Sequence, residues 1–406
     1  MILTTEDSLM DHLDDLLDPS RAAEALRRER NAFDDAAYPC ERRIVIYGCG
    51  GLGRRILAGL RANGVEPVAF ADRNPAAWSL PVDGVRVYSP GEALRRFAGD
   101  ATFVIAVWNP APSGGMANIA AMLAESGCRR VVPFTWLFWK HPETFLPFYL
   151  WDLPSRIYEH AGQVRAAFGL FEGTRSREEF IRQVRLRLTG DANCLGAPMR
   201  GAQYFPQRLF RPRGDEYFVD CGAYDGDTLL SFAEWTGGRF RGAMAWEADP
   251  ANFAALERRI RDRRELRGRV GAVRAAVGAM RSKVRFAASG SAGAAISANG
   301  TIEVDCLPLD EALAAEAPTY IKMDIEGAEL DALNGAARVI QSRQPLLAIC
   351  AYHTQDHLWR VPLRMRELMP QSRLLLRPHC VDGFDLVCYA VPPGRPMDAS
   401  EEDVEA

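Results

Sequence analysis

The sequence predicts an α/β protein with two doubly wound, Rossmann-like domains. Three observations lead there. Short apolar, β-rich runs alternate with helical stretches in two separate series, the pattern of parallel strands joined by crossover helices. Each series opens with a glycine-punctuated turn from strand to helix, Gly48–Gly53 in the first and Gly222–Gly226 in the second. The chain has 406 residues, 48% of them apolar and 25% charged, which suits two or three globular domains with sizeable cores.

Residues 1–40 read as a helical amino-terminal segment with alternating acidic and basic runs. The first strand series, over 41–138, comprises IVIYG, PVAFAD, TFVIAVWN and RVVPF. Residues 139–214 lack strand alternation, and Phe180, Ile181, Val184 and Leu188 recur at helical spacing. They read as a helical connector packing on the second domain. The second series, over 215–393, runs YFVDCG, GAMAWEAD, GRVGAVRAAVG, TYIKMDIEG, PLLAICAYH, SRLLLRP and DLVCYAVP. The last two are placed to pair antiparallel. The polar, acidic tail 394–406 is expected to be disordered.

Composition narrows the function. A net charge of −4 argues against a broadly basic nucleic-acid surface. The nine cysteines form no Cys-x-x-Cys pair, which points to reduced thiols in the cytoplasm. The acidic amino terminus lacks the layout of a signal peptide. The most apolar stretch, Phe134 to Trp151, is broken by Lys140, His141, Pro142, Glu143 and Pro147, so no membrane span is expected.

In the first loop, Gly48, Gly50 and Gly53 follow a strand in the order G-x-G-x-x-G, and Asp72 closes the next strand. That is the spacing of a dinucleotide-binding fingerprint: the glycines admit a phosphate and the acid takes ribose hydroxyls. A tight strand-to-helix turn alone would use the same glycines. Asn109 stands where ligand-facing loops emerge, and an Asn-Pro turn explains it equally well.

In the second loop, Asp220 ends a strand, Gly222 and Gly226 punctuate the turn, and Asp227-Thr228 open a helix. Carboxylates so close to the turn disfavour a pyrophosphate and favour a neutral or cationic ligand. Glu247 ends the next strand, about 20 residues past Gly226, where an acid grips a ribose diol. A positively charged nucleoside, S-adenosylmethionine, fits both features.

Asp324 and Glu326 lie at the carboxyl end of a central strand, and both face one side if that strand continues. His353 ends the neighbouring strand PLLAICAYH, whereas His357 and His379 read as structural. Together Asp324, Glu326 and His353 suit either a base with its orienting partners or a divalent-metal site.

These stretches resemble the FkbM-type family of S-adenosylmethionine-dependent O-methyltransferases. The similarity is carried by FVDCGAYDGDTLLSF, WEADPANFAALE, VDCLPLDEAL, YIKMDIEGAELDALNGA and LLAICAYHTQDHL, and with GAQYFPQRLF and SREEFIRQVRLRL the chain resembles the longer bacterial members with an amino-terminal Rossmann-like domain. The resemblance implies a seven-stranded sheet with its last strand antiparallel, and methylation of a hydroxyl on a sugar, glycan precursor or polyketide-like molecule. It places Asp220, Gly222 and Gly226 at the cofactor's methionine end and Glu247 at its ribose. Ala223, Asp227, Thr228, Ala248 and Asp249 complete the expected cofactor set. The glycine-rich SGSAGAAISANG departs from the family pattern where the adenine-side loop falls. Homo-oligomerisation is compatible with this reading, and the expected partner is a small-molecule acceptor such as a sugar or nucleotide-sugar. The rival expectation is an NAD(P)-dependent oxidoreductase, or a nucleotide-sugar-binding protein, using Gly48–Gly53 and Asp72.

Overall fold

The structure, a computed structural model, describes residues 5–108, 115–291 and 293–397. The chain divides into two compact units. Residues 1–162, 179–198 and 380–384 form the first, and 163–178, 199–379 and 385–406 the second. The segment expected as a connector on the second domain is thus divided: 139–162 and 179–198 belong to the first unit.

The first unit is built on β1 (Ile44–Tyr47), β2 (Ala69–Ala71), β3 (Val87–Tyr88), β4 (Thr102–Ile105) and β5 (Val131–Pro133). They form one sheet in the order β3-β2-β1-β4-β5, every pairing parallel. All four residues of β1 are buried, as a continuous apolar run must be when both faces of a parallel sheet are covered. The helix Ala22–Ala37 buries Ala25, Glu29, Phe33 and Ala37, one residue per turn along a single stripe.

The second unit carries β6 (Tyr217–Cys221), β7 (Gly242–Trp246), β8 (Val270–Val273), β9 (Ala276–Val277), β10 (Ser282–Ala287), β11 (Ala295–Ile296) and β12 (Ile302–Leu307). After them come β13 (Tyr320–Met323), β14 (Leu346–Cys350), β15 (Arg373–Pro378) and β16 (Leu386–Val391). Seven of these make the main sheet, in the order β15-β16-β14-β13-β6-β7-β8. β16 runs antiparallel to both its neighbours, while the other pairings are parallel. Strand order therefore reverses at β6, and the carboxyl ends of β6 and β13 lie side by side with Cys221 opposite Met323. That is where an open α/β sheet leaves a crevice for a ligand.

A four-stranded side sheet, β11-β10-β12-β9, is an addition. The run GRVGAVRAAVG, expected as one strand, splits between the two sheets: β8 pairs with β7 and β9 with β12. The glycine-rich SGSAGAAISANG contributes β11, antiparallel to β10. Among the described residues, no helix is long and apolar enough to cross a membrane, and the nine cysteines are free thiols. The expected disordered tail lies, from residue 398, outside the described residues.

Candidate active site

The second glycine turn leaves β6 through Gly222 at φ 80° and Gly226 at φ 86°, conformations that glycine adopts without strain. Gly222 is also pressed against the neighbouring turn, since a Cβ there would stand 1.8 Å from the carbonyl oxygen of Asp324. The glycine turn and the Asp324 turn thus pack backbone to backbone.

Asp220 is fully buried and 2.9 Å from Nζ of Lys322, a residue that sequence reasoning passed over. Lys322 also donates to the carbonyl of Gly222 at 2.7 Å, so one ammonium ties the end of β6 to the turn. Burial pushes the Asp220 carboxyl up to about 6 against the pull of Lys322, which leaves it ionised at neutral pH. Ala223 is buried. Asp227 is exposed, begins the helix Asp227–Trp235 and accepts from the amide of Thr228 at 2.7 Å. Asp225, not singled out before, is held in a two-point ion pair by Arg259, at 2.7 Å for each bond.

Glu247 is 7% exposed. One carboxylate oxygen accepts from the amide of Tyr224 at 2.8 Å and the other from the amide of Asp249 at 2.7 Å. It therefore shapes the glycine turn and keeps one acceptor position on each oxygen. Asp249 differs. Its carboxylate caps the helix Pro250–Asp262 through Ala251 and Asn252, and receives the amides of Ser289 and Gly290. Four amides fill its acceptor capacity, so its side chain organises the turn and the glycine-rich segment and offers nothing further to a cofactor. Ala248 beside it is buried.

β13 stops at Met323, so Asp324 and Glu326 do not share a face by strand alternation as the sequence suggested. A left-handed turn at Glu326 (φ 55°) and Gly327 (φ 105°) brings both to His353 instead. Nε2 of His353 lies 3.2 Å from Asp324 Oδ1 and 3.8 Å from Glu326 Oε1, and Nδ1 lies 2.8 Å from Glu329 Oε1. Glu329 is fully buried, accepts from the amide of Ile325 at 2.9 Å, and stands 3.3 Å from Nδ1 of His357. The hydroxyl of Tyr204 donates to Asp324 Oδ2 at 2.7 Å.

These contacts set the charges. Burial works against a charged His353, but Glu329 and Asp324 outweigh it and hold its pKa well above the ordinary histidine value. Burial likewise opposes the Asp324 carboxylate, yet bonds from His353 and Tyr204 and the field of Lys322 keep it well below the usual range. Asp385, also missed by the sequence, goes the other way: burial and the nearby Asp324 raise it to about 6. Two carboxylates pushed apart in this way are a mark of acid–base sites. Asp324, Glu329 and His353 bring ligand atoms within 4.8 Å of one another.

Tyr204, Glu329, Lys322 and Asp385 are thus the members absent from the sequence reading. His379, expected to be structural, lies 2.8 Å from the hydroxyl of Tyr389. The first-loop residues Gly48, Gly50, Gly53 and Asp72 meet in the first unit at the end of β1, and Asn109 falls outside the described residues.

The seven-stranded sheet with β16 antiparallel has a methyltransferase-type fold, and comparison with known proteins agrees. Residues 220–376 match the family described as the methyltransferase FkbM domain, so the resemblance read from the sequence holds over that stretch and supports methyl transfer as its activity. The fold of a methyltransferase FkbM from Methylobacillus flagellatus superposes with a TM-score of 0.74 at 21% identity, covering 96% of this chain and 99% of that one. A putative rRNA-methylase from Clostridium thermocellum aligns over 46% of this chain and 91% of its own at 11% identity, with a TM-score of only 0.30. No curated protein matches the sequence.

Proposed function

We propose that the second unit transfers a methyl group from S-adenosylmethionine to a hydroxyl of a small molecule such as a sugar or glycan precursor. The observation that carries this reading is the direct packing of the Gly222 turn on the Asp324 turn, which sets a nucleoside-type loop beside a hydrogen-bonded carboxylate. The residues suit a cationic cofactor. Carboxylates Asp220, Asp324, Glu326 and Glu329 outnumber the cations Lys322 and His353 around the crevice. The Asp220 oxygens have no hydrogen-bond partner beyond the Lys322 ion pair among the described residues, which favours a cationic amino group. Glu247 would hold the ribose.

When bound, the cofactor supplies a methyl group on a positively charged sulfur, open to in-line displacement. The chain's part is to align the acceptor oxygen, an effect worth roughly 7–11 kcal/mol, and to take its proton. The hydroxyl becomes strongly acidic only as the C–O bond forms, so a carboxylate of low basicity suffices. Asp324 receives that proton, steadied by Tyr204 and the His353 imidazolium. Glu329 anchors His353, and Glu326 orients the acceptor. The sequence assigned base character to His353 jointly with Asp324; its elevated pKa makes it the charged support instead. Asp324, Glu329 and His353 are also the groups close enough together to hold a divalent cation, which would require His353 to give up a ring proton and would serve to acidify the hydroxyl.

The test is methyl transfer from labelled cofactor to a panel of sugars and glycan precursors, paired with calorimetry of S-adenosylhomocysteine. Asp324→Asn is expected to lower turnover by about 10²–10⁴-fold while cofactor affinity changes little, and turnover in excess EDTA is expected to persist. Full turnover by Asp324→Asn, or methyl transfer to carboxyl or amine acceptors only, would overturn the assignment.

A further inference from the structure

The glycine loop of the first unit is not absorbed by methyl transfer, and the three glycines of its G-x-G-x-x-G pattern are not equivalent. Gly48 has φ 110°, and a Cβ there would stand 2.8 Å from the carbonyl oxygen of Ala106. A Cβ on Gly53 would stand 2.0 Å from the carbonyl oxygen of Gly48. Both are therefore required by close packing of strand and helix. Gly50 is not: its φ of −71° is open to any residue and a Cβ would meet nothing within 4 Å. It leaves bare backbone at the start of the helix Gly51–Ala62, where a phosphate would approach amide groups and the positive end of the helix dipole.

Around it lies a cleft of about 580 Å³ lined by the glycine turn with Tyr47, Asp72, Arg73 and Trp108, within the size range of small-ligand sites. Tyr47 is the independent pointer. It is 1% exposed, lines the cleft, and its hydroxyl has no hydrogen-bond partner among the described residues. A buried hydroxyl left in that state is unfavourable unless something in the cleft satisfies it.

Asp72 is pinned at the rim. Its Oδ2 accepts from the amide of Cys49 and its Oδ1 from the amide of Asn74, each at 2.8 Å. The Cys49 thiol faces the same carboxylate, and of the four acceptor positions one stays available for a ribose hydroxyl. Arg73, next in sequence, is exposed and makes no ion pair among the described residues. A ligand that suits an amide-lined helix start at one end and, at the other, a carboxylate with the Arg73 guanidinium close by is both anionic and diol-bearing.

We infer that the first unit binds a nucleoside diphosphate in this cleft, the phosphates over Gly50 and the ribose on Asp72. A free diphosphate, a dinucleotide and a nucleotide-sugar share this chemistry. The test is titration calorimetry of the full chain with ADP, UDP, NAD and UDP-glucose in turn, beside adenosine and inorganic phosphate. At least one diphosphate is expected to bind at submillimolar concentration, more tightly than either fragment, and to stay bound in saturating S-adenosylhomocysteine.

Gly50→Asp supplies a favourable cap to the helix, so the ligand-free melting temperature is expected to hold. It sets a carboxylate in the phosphate's place, and affinity is expected to fall roughly tenfold or more. Tyr47→Phe, which removes one oxygen and no volume, is expected to weaken binding as well. Absence of binding by all four diphosphates, displacement by S-adenosylhomocysteine, or undiminished binding in both variants would overturn the inference.

Discussion

Lys322 stands inside the apolar strand β13 and directly across from Asp220 of β6 in the parallel register. Neither side chain is more than 2% exposed. Such a pair adds little over a well-packed apolar one, but breaking it strands a charge. Lys322→Met is therefore expected to cost about 3–5 kcal/mol, read as a lowered urea midpoint, and a second change of Asp220→Leu is expected to restore part of it. Both residues are plain in the sequence, a lysine within YIKM and an aspartate ending YFVD. Their pairing was hidden because β6 and β13 are neighbours in the sheet and about a hundred residues apart in the chain. His379 is a second case. Burial, helped by Arg377, lowers it to about 4, so the fold holds a neutral ring and charging it opposes the fold. Its contribution is full above the unfolded value near 6.5 and is lost as pH falls from there toward 4, about 3 kcal/mol in all. Raised carboxyls such as Asp220 and Asp385 act in the opposite sense over the same range, so the loss is read as a difference: between pH 7 and pH 5, His379→Gln should lose less urea stability than the unsubstituted chain.

At the scale of elements, both units build the same corner. A carboxylate ending the second strand of the sheet accepts an amide from the glycine turn and another from two residues beyond itself: Asp72 with Cys49 and Asn74, Glu247 with Tyr224 and Asp249. The spacing of turn and acid was readable because glycine and an acid at strand ends are local signals. The side sheet was not, since β10 buries only Phe286 and β9 and β11 span two residues each, too short for a period to show. The glycine turn also makes a graded prediction. Gly268 has φ 74° with nothing within 4 Å of a Cβ, so Gly268→Ala should cost only the left-handed penalty of about 1–2 kcal/mol. Gly222→Ala adds a collision with the backbone of Asp324, and its cost should exceed that by about 1–3 kcal/mol, with loss of S-adenosylhomocysteine binding. Equal urea midpoints for the two variants would mean that the turns do not depend on that contact.

At the scale of the molecule, the chain returns to each unit more than once, and this decides what a truncation can do. The sequence places the start of the methyltransferase domain at residue 215, where strand alternation resumes. The second unit begins earlier in the chain, with 163–178 and 199–214. Phe205 from that stretch packs on Phe218, Trp235 and Tyr320, with ring centroids 5.5, 5.3 and 5.6 Å away. Phe210 lies 5.5 Å from Tyr389. Ser176 accepts from Arg377 at 2.7 Å, Glu172 meets Arg373 at 2.6 Å, and Tyr204 holds Asp324. No apolar periodicity marks the aromatic contacts, because Phe205 and Phe210 lie on irregular chain between the two strand series. Removing one buried phenylalanine typically costs about 3–5 kcal/mol, and a fragment of residues 215–397 lacks two together with the polar ties. Against a net stability of about 5–15 kcal/mol for a whole protein, that deficit should leave the fragment without cooperative unfolding and exposed to dyes that bind apolar surface. A fragment of residues 163–397 regains these contacts and should unfold in one transition at a higher urea concentration. If the shorter fragment unfolds cooperatively and binds S-adenosylhomocysteine as the full chain does, the aromatic stretch is dispensable and the unit begins where strand alternation does.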